Sequence, residues 1–275
     1  MTGIPFQLLF RGLVAIAALT GIAASAPAFA KDSGGEKPMC EIAGPQSPRD
    51  LTATAGNNNP PKFSLAPEAE DMQLCNIHFH KNAEHKAKGY PHLVGEGDQR
   101  GYACSAEKSG HETINKNNAH ATPTGGGCEG IAPGDTIEVH WVFTSCQAAK
   151  PGKGLASCVP AGCSKPQLRV EARTFRLNND APNDFMKLTA LKDNNLVTLL
   201  PAADRVQYAG STTGPSYNNK QCSPFLVSWS VDQTCHSLDI ASVNKWCASN
   251  NAFDEHHAHG VRKLVTDLRF LSATK

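Results

Sequence analysis

The sequence predicts a mainly β fold, and three observations lead to that class. The segment 136–145 (TIEVHWVFTS) alternates apolar residues at odd positions with mostly polar residues at even positions. This period of two is typical of a strand with one buried face. Long runs with the helical period are scarce, and the 23 glycines and 18 prolines indicate many turns between short elements.

The first thirty residues predict a secretory signal peptide. Arg11 precedes the apolar run LVAIAALTGIAA, and Ala28-Phe29-Ala30 offers the small residues of a cleavage site. The run is shorter than the ~20 residues that a membrane-spanning helix needs, and an uncleaved membrane anchor is the alternative. We therefore expect residues 1–30 to be removed and residues 31–275 to form one domain with no membrane attachment.

The cysteines indicate where the protein works. All ten follow the cleavage site, and an even number in an exported chain suggests disulfides. They are scattered rather than arranged as CxxC pairs, which argues against a cysteine-rich metal site. The bacterial type of signal favours a periplasmic location, with secretion as the alternative. A formal net charge of +1 gives no reason to expect nucleic acid or an anionic membrane as partner.

Further strands are predicted by the same alternation. They cover residues 74–80, 167–177, 196–200 and 225–231, while 261–271 fits a strand or a helix. The segments 31–60, 86–134 and 150–166 are predicted to be loops because they are rich in glycine, proline and polar residues. Strand 74–80 is predicted to place Leu74, Asn76, His78 and His80 on one face and Cys75, Ile77 and Phe79 on the other.

Two histidines on strand 74–80 suggest a metal site. His78 and His80 are two residues apart, so their side chains point to the same side from Cα atoms roughly 6.5–7 Å apart. That arrangement suits two imidazoles on one zinc ion. His140, on the polar face of strand 136–145, is the natural third ligand. Asn76 and Glu138 each precede a ligand by two residues, and we expect each to accept the ring N–H of that ligand.

Three neutral histidines would leave zinc with an open coordination position. Structural zinc sites are normally closed by four protein ligands, so this set is catalytic in type. A water molecule at such a position loses a proton near neutral pH. The pattern alone does not decide which reaction follows.

Five segments resemble carbonic anhydrase motifs, in the same order along the chain. NIHFHK and EVHWV carry histidines at the same alternating strand positions as the α-class zinc ligands. GPQSPRDL (44–51) is similar to G-x-Q-S-P-I-D-I, Ala83-Glu84-His85 to S-E-H, and residues 208–231 to Y-x-G-S-L-T-T-P-P-C-S-E-x-V-x-W-x-V. The chain resembles bacterial δ-class carbonic anhydrases, which are related in motif order to the α class.

The resemblance implies both a fold and an activity. The implied fold is a single domain with a large, twisted, mostly antiparallel β-sheet, short helices and long loops. The implied activity is the reversible hydration of CO2 to bicarbonate and a proton by zinc-bound hydroxide. The implied cofactor is Zn2+, with Co2+ and Cd2+ as alternatives.

The resemblance also assigns roles to single residues. Thr213 stands at the threonine that orients the hydroxide, and Glu84 stands at the carboxylate that accepts the hydroxyl hydrogen bond of this threonine. Cys40 is implied to form a disulfide with Cys222. Glu84 follows His80 more closely than in the α class, and Gly214 replaces a second threonine. These departures favour the δ class, and a register slip of one would make Thr212 or Ser211 the orienting hydroxyl.

Proton transfer to buffer needs a titratable relay, and histidine has a suitable pKa. His85 is the first candidate for this proton shuttle, and His92, His111 and His120 are further candidates. The segment 254–260 (DEHHAHG) is a candidate second metal site, although a packed turn is the simpler interpretation.

Two other functions fit part of the pattern. HFHKNAE resembles the H-x-H-x-x-x-E half of a cupin, a metal-dependent oxygenase or isomerase in which Glu84 would be a ligand. A periplasmic zinc-binding protein without catalysis would also use the histidines. Neither alternative explains the match at residues 208–231.

Overall fold

Two long strands form where the alternation predicts them. Strand β1 (Gln73–Lys81) and strand β4 (Thr136–Thr144) pair antiparallel. The apolar odd residues of β4 face a core, and its even residues face the other side of the sheet. A computed structural model describes residues 43–52, 64–105, 127–211, 218–261 and 265–274.

The main sheet has five strands in the order β1-β4-β5-β9-β8. Three neighbouring pairs are antiparallel, and β5 and β9 are parallel. The expectation of a mainly β, mostly antiparallel fold is therefore confirmed, with one parallel pair that makes the sheet mixed. The remaining strands are β2 (His92–Val94), β3 (Gly101–Ala103), β5 (Leu168–Asn178), β6 (Leu191–Lys192), β7 (Asn195–Leu196), β8 (Arg205–Ser211) and β9 (Leu226–Asp239).

Short helices and two small hairpins surround the sheet. Strand β2 pairs with β3, and β6 pairs with β7. Helix α1 spans Phe185–Leu188 and helix α2 spans Ile240–Ala248. Asp239 begins α2 because its carboxylate accepts the otherwise unpaired N–H groups of Ala241 and Ser242. Turns of 3-10 helix lie at Ala69–Asp71, Gly97–Gln99 and Leu155–Cys158.

The sheet separates two buried apolar clusters. One cluster packs Trp141 of β4 and Phe175 of β5 against helices α1 and α2. The other contains Val142, Val170 and Trp229 and lies on the face that carries the histidines. One face of the sheet is thus filled by helices, while the other is left for a site.

A β-bulge at Cys75 corrects the predicted faces of β1. The pairing runs from Leu74 opposite Phe143 directly to Asn76 opposite Val142, which leaves Cys75 as an extra residue. Leu74 therefore lies in the helix-side cluster, although simple alternation placed it beside the histidines, and Cys75 packs with the opposite cluster. Bulges re-aim side chains and are common beside functional sites.

Other elements differ from the expectations in extent. The strand predicted at 196–200 is reduced to Asn195–Leu196, and residues 265–274 form neither strand nor helix. Helix α2 was not expected because nine residues supply too few turns for a clear helical period. Strand β8 was recognised only as part of a motif, and its edge position gives it exposed as well as buried residues.

The segment 44–51 crosses the end of β8. The N–H of Ser211 donates to Pro45, and the N–H of Ser47 donates to Ser211. The Gln46 amide donates to the carbonyl of Ser223 at 2.9 Å and accepts from its N–H at 2.9 Å. Two segments that the motif comparison singled out are therefore joined directly.

Four disulfides connect described cysteines, which fits an oxidising extracellular compartment. Two of them, Cys75–Cys158 and Cys146–Cys163, hold the loop predicted at 150–166. The other two are Cys104–Cys235 and Cys128–Cys247. Cys222 is also disulfide-bonded, and its predicted pairing with Cys40 stays a prediction.

Several expectations fall on residues outside the described ranges. Within those ranges, helices are all too short or too polar to cross a membrane, and all described residues belong to the compact unit 37–275. The predicted features that lie outside are the signal peptide 1–30, Cys40, His111, His120, Thr212 and Thr213.

We expect Phe185→Ala to destabilise the helix-side core. The Phe185 ring is fully buried and meets the rings of Phe79 and Trp246 edge-on. Its removal should lower the free energy of unfolding by about 3–5 kcal/mol, measured by denaturant titration. The matched control is Phe225→Ala, because Phe225 is 59% exposed; an equal loss in both variants would contradict this account of the core.

Candidate metal centre

The register between β1 and β4 brings three histidines together. His78 lies directly opposite His140, and His80 lies opposite Glu138. The ring centroids of the three histidines are 4.9–5.2 Å apart. One nitrogen from each ring lies within 4.8 Å of the others, so the group could hold a metal ion. The structure therefore brings together the three residues that the sequence predicts as ligands.

Each ring has its other nitrogen near an acceptor oxygen, at hydrogen-bond distance and geometry for His78 and His80. The Nδ1 of His78 lies 2.6 Å from the side-chain oxygen of Asn76, and the Nε2 of His140 lies 3.4 Å from Glu138 Oε2. These are the two partners that the spacing predicts. The Nδ1 of His80 lies 2.9 Å from the carbonyl oxygen of Gly260. A nitrogen that donates to an acceptor keeps its proton, so His78 and His80 present Nε2 to the site. The Nδ1 of His140 lies 3.3 Å from the Nε2 of His78, so this ring turns its Nδ1 toward the same point.

Glu138 joins several parts of the site. Its side chain is fully buried, and its two oxygens accept from the backbone N–H of Glu84 at 2.7 Å and from the His85 ring at 2.9 Å. Burial disfavours the charged carboxylate, but the attraction and hydrogen bonds of His85 and His140 outweigh it and hold the pKa of Glu138 far below its usual range. Glu138 is thus a permanent negative charge behind the histidines.

His85, the first candidate for the proton shuttle, lies inside the protein. The side chain is 1% exposed, and its Nε2 lies 2.8 Å from the Tyr208 hydroxyl while its Nδ1 lies 2.9 Å from Glu138. The ring therefore braces Glu138, and its role as a shuttle stays a prediction.

Glu84 is buried beside the three histidines. Its Oε1 lies 3.7 Å from Nδ1 of His80, and its carboxylate also falls in a second group of neighbouring donor atoms with Glu138 and His140. The position suits a carboxylate that accepts a hydroxyl hydrogen bond near the metal. Its expected partner Thr213 lies outside the described residues, so this role stays a prediction.

A cavity of about 530 Å³ opens over the histidines. One wall is apolar and comes from β4, β5, β9 and the loop 150–158. The other wall is polar and comes from Asn76, Asp98, Glu255 and His259. Trp229 is buried and also lines the cavity, where its ring packs edge-on against His140. The apolar wall consists of Val142, Leu155, Leu168, Val170, Val227 and Trp229.

The segment 254–260 belongs to this site rather than to a second one. His259 N–H donates to Phe79 of β1, and the His259 carbonyl accepts from Lys81, so the segment runs along the strand. The His259 ring lies 5.7 Å from that of His78 and bonds to Glu255 at 2.7 Å. In the described part of the segment, no further group of three ligand atoms converges.

Sequence reasoning missed the Gly260 carbonyl and the place of His259. A backbone carbonyl leaves no trace in side-chain patterns, so the partner of His80 had no signal. The histidines at 256–259 did carry a signal, but it suggested a packed turn or a second metal site rather than a part of this one. His92, another candidate relay, is exposed on β2 and does not line the cavity.

The donor chemistry fits a divalent transition metal. Three imidazole nitrogens with fixed tautomers suit zinc, and carboxylate-rich sets suit harder ions. The oxygens of Glu138 already accept from Glu84 and His85 and face His140, which leaves this carboxylate poorly placed as a direct ligand. The three-histidine group is therefore the better candidate of the two.

Comparisons with known proteins point to one family. A family model described as delta carbonic anhydrase matches residues 69–242, a range that includes all three histidines. A search of curated proteins finds no match. The α-carbonic anhydrase of Thermovibrio ammonificans, solved with the inhibitor sulfanilamide, is 14% identical with a TM-score of 0.32, covering 80% of this chain and 86% of that one. A halotolerant carbonic anhydrase from Dunaliella salina is 14% identical with a TM-score of 0.22, covering 46% and 50%.

We expect Glu138→Gln to speed metal release. A glutamine offers one acceptor oxygen and no charge where the Glu138 carboxylate accepts from Glu84 and His85 and faces His140, so the His140 ring loses the charge that faces it. The dissociation rate of bound Zn2+ should rise about tenfold or more, measured by transfer to a chromogenic chelator. Glu129→Gln, at an exposed position, is the control, and equal release rates in the two variants would contradict the role of Glu138.

Proposed function

This chain belongs to the delta carbonic anhydrase family, and we propose that it is a zinc enzyme that interconverts CO2 with bicarbonate and a proton. One observation carries the proposal: three imidazoles converge at a cavity, each with its second nitrogen near an acceptor oxygen. Such a set leaves a coordination position open for chemistry.

The proposal assigns the metal to His78, His80 and His140. When bound, zinc supplies Lewis acidity that makes water nucleophilic near neutral pH. The chain supplies the rest. Asn76 and the Gly260 carbonyl keep the first two rings in the tautomer that leaves Nε2 free for bonding. The negative charge of Glu138 lies behind His140, where it favours a cation bound on the other side of the ring.

The cavity walls suit the two sides of the reaction. CO2 has no net charge, and the apolar wall around Val142, Val170 and Trp229 offers it a place without competing water. The polar wall with Asp98, Glu255 and His259 offers water molecules and departing protons hydrogen-bonding groups. We assign Thr213 the role of aligning the attacking water through its hydroxyl, with Glu84 as the acceptor of the hydroxyl proton.

The proposed location is the periplasm, or the outside of the cell, after removal of residues 1–30. Support comes from the signal-peptide pattern and from the four disulfides between described cysteines. Export would place the enzyme where CO2 and bicarbonate cross the cell envelope.

The alternatives gain less support. The family match does not favour a cupin. In a cupin Glu84 would bind the metal, but here it lies beside Nδ1 of His80, the nitrogen that faces the Gly260 carbonyl. A zinc-binding protein without catalysis accounts for the histidines but leaves the apolar wall without a purpose. Catalytic turnover separates it from the proposed enzyme.

We expect the zinc-loaded protein to accelerate CO2 hydration in a stopped-flow assay. His140→Ala should bind less zinc and fall to the uncatalysed background, because the ligand set is broken. His256 is exposed and does not line the cavity, so His256→Ala should retain both zinc binding and CO2 hydration. Sulfanilamide should inhibit the wild-type protein. Full zinc content without hydration above background would refute the proposed function in favour of a binding protein.

We expect Thr213→Ala to separate metal binding from catalysis. Losing the hydroxyl should leave zinc content unchanged and lower kcat about 100-fold, the scale of a misplaced reactant. Thr234→Ala, at an exposed position, is the matched control. Full activity in Thr213→Ala would show that the neighbouring Thr212 or Ser211 is the orienting hydroxyl instead.

A further inference from the structure

Asn76 holds His78 only if its amide points one way. The amide nitrogen of Asn76 lies 2.9 Å from the carbonyl oxygen of Gly152, and its oxygen lies 2.6 Å from Nδ1 of His78. A carbonyl can only accept, so the group facing Gly152 must be the NH2. The Gly152 carbonyl therefore fixes which end of the amide meets the histidine.

The Gly152 carbonyl is fixed in turn by the bulge residue of β1. The N–H of Gly152 donates to the Cys75 carbonyl at 3.0 Å, and the Ser157 hydroxyl donates to the same carbonyl at 2.7 Å. The Cys75–Cys158 disulfide ties the loop 150–158 to the strand through two fully buried cysteines. The Cys146–Cys163 disulfide closes the base of the same loop.

We propose that the loop 150–158, pinned by the Cys75–Cys158 disulfide, is a positioning element for the metal ligand His78. It acts through Gly152 and Asn76, and it rests on the proposed function only in taking His78 as a ligand. The chain of contacts runs from disulfide to loop, from loop to amide, and from amide to imidazole.

The consequence of losing the loop follows from the hydrogen-bond chemistry. Without the Gly152 carbonyl, the Asn76 amide is free to rotate and present its NH2 to Nδ1 of His78. That favours the tautomer with the proton on Nε2, which has no lone pair left on Nε2 for a metal. The metal would then be held by two well-oriented rings instead of three.

The same loop shapes the cavity. Gly154 and Leu155 line the cavity. The Lys153 ammonium donates to the carboxylate of Asp254 at 2.6 Å, next to the lining residue Glu255. Loss of the disulfide should therefore loosen both the ligand and the wall above it.

The test measures Co2+ release in the absence of CO2. The variant C75S/C158S removes this disulfide, and C104S/C235S removes another long-range disulfide between buried or half-buried cysteines. EDTA is added to each Co2+-loaded protein, and the loss of visible cobalt absorption gives the dissociation rate. We expect a rise of about tenfold or more in C75S/C158S and less than about twofold in C104S/C235S.

A double-mutant cycle with Asn76→Ala distinguishes positioning from general loosening. If the disulfide acts through Asn76, its removal should not speed Co2+ release further in the Asn76→Ala background. Effects that multiply would overturn the proposal, as would equal rises in the two disulfide variants or an unchanged rate in C75S/C158S.

Two further outcomes keep the test decisive. If circular dichroism shows that C75S/C158S does not fold, Ser157→Ala is used instead, because it removes the hydrogen bond from the loop to the Cys75 carbonyl. Faster Co2+ release from Ser157→Ala would support the proposal, and an unchanged rate would overturn it. A wild-type protein that holds Co2+ but, with zinc, does not hydrate CO2 would refute the proposed function alone, because the positioning of His78 is measured without substrate.

Discussion

The candidate metal centre depends on the register in which β1 pairs with β4. His78 lies opposite His140, and His80 lies opposite Glu138, in a regular ladder that begins just after the bulge at Cys75. Side chains alternate along a strand, so a slip of one residue would turn the histidines of β1 into the helix-side core and Phe79 into the cavity. The fully buried Ile77 and Phe79 oppose that slip because each would lose its apolar surroundings.

Glu138 places a buried negative charge behind the three histidines. A buried carboxylate is costly unless donors surround it, and here they come from Glu84, His85 and His140. Tyr208 supports His85 from β8, four places away from β1 in the strand order. The charge behind one ligand is therefore held by residues drawn from across the sheet, which explains why segments far apart in sequence carry the family resemblance.

The sequence allowed the cluster of three histidines to be predicted because each lies on a strand with clear alternation, and the positions of Asn76 and Glu138 beside them followed from the same spacing. The face of Leu74 was predicted wrongly because a bulge has no side-chain period. The burial of His85 gave no signal because it depends on Tyr208, which is distant in sequence. Gly260 acts through its backbone and so gave no signal. The regular part of the site could be predicted, and the part made by loops and backbone could not.

Strand β1 lies at one end of the five-stranded sheet, so no strand of the described residues pairs with its outer backbone groups. Separate pieces of chain cover them: the Asn195 side chain meets Leu74, the 150–158 loop meets Cys75, and His259 meets Phe79 and Lys81. An uncovered border strand is a template for joining sheets of different molecules. The loops that complete the site thus also protect the protein from aggregating through the strand that carries its histidines.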